Sequence, residues 1–245
     1  MNHDSMHLHI VGGFLGSGKT TAIIGAAKLL MAQGKRVGVV TNDQGKYLVD
    51  TAFFTRADVP TVEVTGGCFC CHYDDLDARL AQLQQMAQPD VIFAESVGSC
   101  ADIDYARYGA GEAQLAWLDE TVTLHVAEGQ GRAVALYWIG AVVEALRQQR
   151  VAVGHLKFLV RDRAGDAKVS FLTLDEVGWE QAVPALTGAQ VTLLVNARAE
   201  IGAPALRDLV ARAVHQTEMA TGATLDESEI AFFHPRFPHP THRMN

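Results

Sequence analysis

The sequence predicts an α/β protein in two parts: a parallel sheet covered by helices, followed by a smaller α+β unit. Three observations carry this reading. Short apolar runs alternate with helically spaced ones over the first hundred residues, a glycine-rich loop joins the first strand to the first helix, and the order of signals changes after about residue 103.

The elements follow in order. Leu8, Ile10 and Val11 form a short apolar run that ends in Gly12-Gly13, and from Thr20 the residues Ile23, Ala27, Leu30 and Met31 recur at helical spacing until Gly34 offers a stop. Val37 to Thr41, Thr61 to Thr65 and Val91 to Ala94 read as further buried strands, with Leu76, Leu80 and Leu83 marking a helix between the last two. Beyond a glycine-bearing stretch, the signals are a strand at Thr121 to Val126, a long helix at Arg132 to Gln149, strands at Val153 to Val160 and Lys168 to Leu174, a short helix near Val177 to Leu186, and a strand at Val191 to Val195. This βαββαβ order is ferredoxin-like, with an added helix opened by Pro204. The expected plan is a nucleotide-binding domain over 7–103, a linker over 104–118, an α+β domain over 119–230 and an irregular tail over 231–245.

Composition narrows the function. With 49% hydrophobic and 20% charged residues, the 245-residue chain has the make-up of a globular protein. Its formal charge of −8 offers no positive field for a polyanion, so nucleic acid is not an expected partner. The longest apolar stretch, Val134 to Val143, is about half of the roughly 20 residues a membrane-spanning helix needs, and the N-terminus lacks secretory character. No membrane association and a cytoplasmic location are expected.

Gly13-Phe14-Leu15-Gly16-Ser17-Gly18-Lys19-Thr20 fits the G-x-x-x-x-G-K-[ST] phosphate loop, placed as the mechanism demands between a strand and a helix. Gly13, Gly16, Ser17 and Gly18 let backbone N–H groups face a phosphate chain, with Thr21 following in the first turn of the helix. Lys19 reaches the outer phosphates, and the Thr20 hydroxyl suits Mg²⁺. Glu95, in Glu95-Ser96-Val97-Gly98, supplies an acid near the metal and the attacking water, and Gly98 a backbone donor to the outermost phosphate. Asp43, beyond the second strand, is either a further group at the metal's water shell or a turn-capping residue.

Cys68, Cys70 and Cys71 put three thiols on one loop at the C-terminal end of the third strand, on the sheet edge that carries the phosphate loop. Thiolates favour Zn²⁺ and other soft or borderline ions, and three of them leave a position for His72, Cys100, Glu63 or a recipient protein. A redox pair, or small buried hydrophobes, are the alternatives. His3, His7, His9, His234, His239 and His242 crowd the termini, either as metal-capturing imidazoles or as solvated polar residues.

Together Gly12 to Thr21, Thr41-Asn42-Asp43-Gln44-Gly45, Gly67-Cys68-Phe69-Cys70-Cys71 and Glu95 to Gly98 resemble the CobW-like P-loop GTPases, relatives of the nickel-insertion GTPases of urease and hydrogenase. The resemblance covers about residues 8 to 102. It implies a P-loop sheet, GTP with Mg²⁺, hydrolysis, Zn²⁺ or Co²⁺ on Cys68, Cys70 and Cys71, and transfer of that metal to a client protein. The Asn-Lys-x-Asp motif that reads guanine occurs nowhere in the 245 residues, which leaves ATP as an alternative and a non-hydrolysing metal-binding scaffold or regulator as a second reading. Either Asn196-Ala197-Arg198-Ala199 is a remnant of that motif, or, as favoured, the strand ending at Val195 belongs to the second domain and the base-reading strands are missing between about Ala101 and Gly111. An incomplete sheet leaves an open edge for a partner chain, a homodimer included.

Overall fold

The computed structural model describes residues 6–13, 17–43, 59–65, 69, 72–96, 110–111, 113–163 and 165–235. They divide into two compact units, one running to Ala110 and the other starting at Gly111.

The first unit is a four-stranded parallel sheet of β1 (His7–Val11), β2 (Val37–Asp43), β3 (Thr61–Thr65) and β4 (Val91–Glu95), in the order β1-β4-β2-β3. Alternation along the central strands feeds two separate cores. Val37, Val39, Val91 and Phe93 pack on Ile23, Ile24 and Ala27 of α1 (Lys19–Ala32). Val40, Val62, Val64, Ile92 and Ala94 pack on Leu76 and Leu83 of α2 (Tyr73–Ala87). Gly38 permits the close approach of α2, since a Cβ there would lie 2.6 Å from Leu83 Cδ2. The strand β1 ends the sheet among the described residues, and Leu8 and Ile10 keep 38% and 39% of their surface exposed there; the stretch read as lacking the base-reading strands lies outside the described residues as far as 109.

The second unit is a five-stranded antiparallel sheet in the order β7-β6-β8-β5-β9, built from β5 (Ala116–His125), β6 (Val153–Arg161), β7 (Asp166–Phe171), β8 (Gln190–Ala199) and β9 (Thr224–Phe233). The helices α3 (Gly131–Gln148) and α4 (Ala203–Thr221) share its main core, where Trp138, Ile139, Val142, Leu206 and Val210 meet Leu118, Phe158 and Val195. Trp138, Phe158, Phe171 and Trp179 stack edge to face in a chain. Toward the side chains Trp117, Asp119, Asn196 and Arg198 the sheet is polar yet buried: Arg198 Nη1 donates to Asp119 Oδ1 at 2.7 Å, and its guanidinium carbon sits 4.0 Å from the Trp117 ring.

Several sequence expectations change here. The strand expected from Thr121 starts at Ala116, inside the stretch read as linker. The helix expected over Val177 to Leu186 is only a 3₁₀ turn, Trp179–Ala182, because Gly178 enters it at φ 77 and Val183 leaves it extended. The second long helix of the unit is instead the one opened by Pro204. The segment 231–233, read as irregular tail, continues β9, an edge strand whose Asp226-Glu227-Ser228-Glu229 run hides its alternation. Asn196 and its neighbours lie in β8, between β6 and β5, which places them in the second sheet.

Candidate functional site

Parallel strands bring their C-terminal ends to one edge of the first sheet, and the register shows which residues reach it. Val11 pairs with Glu95, and Asp43 pairs with Thr65. Strands lie about 4.8 Å apart, so the exit of β3 stands about 14 Å along that edge from the exit of β1. The phosphate loop leaves the first, the cysteine-bearing segment the second, and β4 and β2 end between them.

At the β1 exit, Gly13 has φ 149, and a Cβ added to it would lie 2.8 Å from Ser17 Oγ and 3.6 Å from Lys19 Cδ. Glycine is required there by conformation, while the Ser17 hydroxyl could turn aside from a methyl. Gly18 then adopts the left-handed region, φ 82 and ψ 13, as the N-cap of α1. Among the described residues no side chain caps this helix end and no acid stands in its first turn, so its amide donors and positive dipole end suit an anion. Lys19 folds back so that Nζ donates to Gly13 O at 2.9 Å, which holds its charge over the loop.

Beside it the Thr20 hydroxyl donates to Glu95 Oε1 at 2.8 Å and meets Oε2 at 3.1 Å, with both residues buried. A hydroxyl and a carboxylate within one coordination shell are the hard oxygen donors Mg²⁺ takes beside phosphate oxygens and water. The residues present therefore fit the ion. Ser96 N donates to Val11 O at 2.9 Å, tying the end of β4 to the end of β1 and fixing Glu95 against the loop. Asn42 Nδ2 donates to Val64 O at 3.4 Å, joining the ends of β2 and β3.

The structure thus brings Gly13, Ser17, Gly18, Lys19, Thr20, Thr21 and Glu95 to one place, and sets Asp43 at the end of β2. Gly16, Gly98, Cys68, Cys70, Cys71 and Cys100 lie outside the described residues. Among the described residues no group of three His, Cys, Asp or Glu is gathered for a metal. His72 stands at the N-cap of α2 with Nδ1 3.2 Å from Asp75 Oδ2. His9 stacks on Phe93 at 5.6 Å, and His234 Nε2 accepts the Ala203 N–H at 3.3 Å, so these two histidines have packing and capping roles.

Phe69 is the residue the sequence reading missed. It is 4% exposed and packs among Val40, Val62, Val64 and Leu76, on the α2 face of the sheet. An aromatic residue flanked by thiols and glycines was the available signal.

Residues 7–123 match the model of the CobW/HypB/UreG nucleotide-binding domain. A zinc chaperone CobW from Sinorhizobium sp is 33% identical over 107 residues, which are 40% of this chain and 29% of the relative. The zinc chaperone YeiR of Escherichia coli (strain K12) is 31% identical over 93 residues, 37% of this chain and 27% of the relative. The matched region spans less than a third of the length of either. Among solved structures, HypB from Helicobacter pylori in complex with nickel aligns over 40% of this chain and 45% of its own at 18% identity, with a TM-score of 0.33. The hydrogenase maturation factor HypB of Archaeoglobus fulgidus covers 40% and 46% at 20% identity, with a TM-score of 0.31.

Proposed function

Because residues 7–123 belong to the CobW/HypB/UreG nucleotide-binding family, we propose that this protein is a nucleotide-gated metal carrier, which binds GTP with Mg²⁺ and couples its hydrolysis to zinc or cobalt delivery. The observation that carries the reading is the buried Thr20–Glu95 pair at the head of a phosphate loop, on the sheet edge from which the cysteine-bearing segment also departs. Mg²⁺ would be held at Thr20, with Glu95 on its water shell, and would neutralise charge on the phosphates.

The chain's own groups divide the work. Gly13, Gly16, Ser17, Gly18, Thr21 and Gly98 cradle phosphate oxygens with backbone N–H groups, and Lys19 turns from Gly13 O to the outer phosphates. Glu95, with Asp43 as a second candidate, orients the attacking water. Cys68, Cys70 and Cys71 take the cargo metal as thiolates and pass it to a client protein. The relatives named zinc chaperones favour zinc as that cargo. We read the second unit as ferredoxin-like: β5, α3, β6, β8, α4 and β9 follow a βαββαβ order with spatial order β6-β8-β5-β9, and β7 is added at the β6 edge. The expected setting is the cytoplasm, with a homodimer open to test.

A second reading is supported by the missing Asn-Lys-x-Asp motif: a scaffold or regulator that binds nucleotide without hydrolysing it or selecting guanine. Phosphate release from GTP and from ATP, measured with and without Zn²⁺, separates the two. A carrier of the first kind releases phosphate above background, prefers GTP, and loses the activity in Lys19→Ala. Background release from both nucleotides leaves the scaffold.

A further inference from the structure

The second unit contains a charge arrangement that neither nucleotide nor metal binding employs. Pairing of β5 with β9 runs in step from His125↔Thr224 to Thr121↔Ser228, then jumps so that Asp119 faces Ala231. The jump leaves Glu120 opposite Glu229 and Ile230 in a bulge, with Glu229 in the left-handed region at φ 51. That conformation is strained for a residue other than glycine, and the Thr121 hydroxyl holds the Glu229 carboxylate at 2.7 Å.

Glu120 is fully buried within this irregularity. Arg207 of α4 lies with Nη1 3.9 Å from Glu120 Oε2 and 2.8 Å from Glu227 Oε1 on β9. One guanidinium therefore faces two carboxyl groups, and among the described residues nothing donates a hydrogen bond to either oxygen of Glu120. From β8 the residue opposite is the apolar Val195, and the acid beside it on β5, Asp119, is engaged by Arg198. The charged groups around Glu120 are thus Arg207 from α4 and Glu227 and Glu229 from β9. Burial first, and the adjoining Glu227 carboxyl second, push the Glu120 carboxyl up to about 8, against the pull of Arg207.

We propose that Glu120 is a proton-operated latch on the edge strand β9. With the proton in place, Arg207 serves Glu227 alone and the strand stays paired across its bulge. When the proton leaves, a second negative charge competes for Arg207 and the strained segment from Glu229 to Phe233 parts from β5. Two contacts ride on that segment: the Phe233 ring lies 5.9 Å from Trp117, and His234, one residue on, accepts the Ala203 N–H at the head of α4. Release would therefore unlink the edge strand from the sheet and uncap a helix together.

Amide-exchange protection factors over Glu229–Phe233, corrected for intrinsic exchange and measured on the full chain as a series from about pH 5 to about pH 9, test the latch. Wild type is expected to lose tenfold or more in protection across the series, with a midpoint near pH 8, while β6 and β8 keep theirs; Glu120→Gln stays protected throughout. Glu227→Gln is the second variant. It removes the adjoining carboxyl, the second of the two causes that hold the proton, so the midpoint of the loss moves to lower pH than in wild type. A pH-independent wild type, the same loss in Glu120→Gln, or an unmoved midpoint in Glu227→Gln would overturn the proposal.

Discussion

The Thr20 hydroxyl donates to the carboxylate of Glu95 from 75 positions away in the chain, at 2.8 and 3.1 Å to the two oxygens. The contact joins the first turn of α1 to the end of β4 and brings two hard donors together beside the phosphate loop. Neither residue has this role without the other. Thr20→Val keeps the shape and removes the hydroxyl, so nucleotide affinity in the presence of Mg²⁺ is expected to fall at least tenfold, with a much smaller change in EDTA. Titration of a fluorescent nucleotide analogue under both conditions reads the difference.

Gly13 is limited by backbone conformation: its φ of 149 is one that residues with a side chain rarely adopt. In Gly13→Ala the backbone at φ 149 is strained, and the new methyl, 2.8 Å from Ser17 Oγ, also turns that hydroxyl aside. Nucleotide binding is expected to be lost while the far-ultraviolet circular dichroism stays that of wild type.

Gly38 tests the packing of α2 on the sheet. A methyl there meets Leu83 at 2.6 Å, and the side chain has to turn away inside a full core. Overpacking of this kind costs about 1–3 kcal/mol. Denaturant unfolding of Gly38→Ala should show a lowered midpoint in the transition of the first unit.

The buried Asp119–Arg198 pair makes a sharper prediction. Removing the guanidinium in Arg198→Met takes the counter-charge from a wholly buried carboxylate to which Asn196 Nδ2 still donates at 2.8 Å, at a cost of about 3–5 kcal/mol. Adding Asp119→Leu removes the stranded charge, so the double variant is expected to recover most of the loss. A double-mutant cycle by chemical denaturation measures the coupling.

Stability should also fall with rising pH through Glu120. An ordinary glutamic acid in the unfolded chain ionises near 4.5, whereas the folded Glu120 holds its proton to about 8. Between those values the folded state binds more protons than the unfolded one, so the unfolding free energy declines as pH rises and levels off above 8. Glu120→Gln is expected to flatten this decline. Thermal unfolding at pH 5, 7 and 9 shows whether it does.

The first unit was legible in the sequence because its signals are local. Val37 to Thr41 and Val91 to Ala94 are continuous apolar runs, as strands buried on both faces must be, and Gly13 to Thr20 sits at a strand-to-helix joint. Placing Glu95 needed only the end of a strand. The second unit was harder, since its decisive features are cross-strand. Nothing in Asp226-Glu227-Ser228-Glu229 signals a strand, because β9 is an edge whose exposed acids answer to Arg207 and Thr121 elsewhere in the fold. The strand expected only from Thr121 starts at Ala116 for a related reason: Asp119 and Glu120 look like surface residues until Arg198 and Arg207 stand beside them. Phe69 was passed over because its neighbours, thiols and glycines, suggested only a loop.

The measurement that reaches the central claim most directly is the affinity for Zn²⁺, by competition with a chromophoric chelator, in the absence of nucleotide and with GTP·Mg²⁺ bound. A nucleotide-gated carrier shows affinities that differ by about fivefold or more, the range of ordinary coupling between sites, and loses Zn²⁺ binding in Cys70→Ser. Equal affinities in the two states, or undiminished binding in Cys70→Ser, would contradict it.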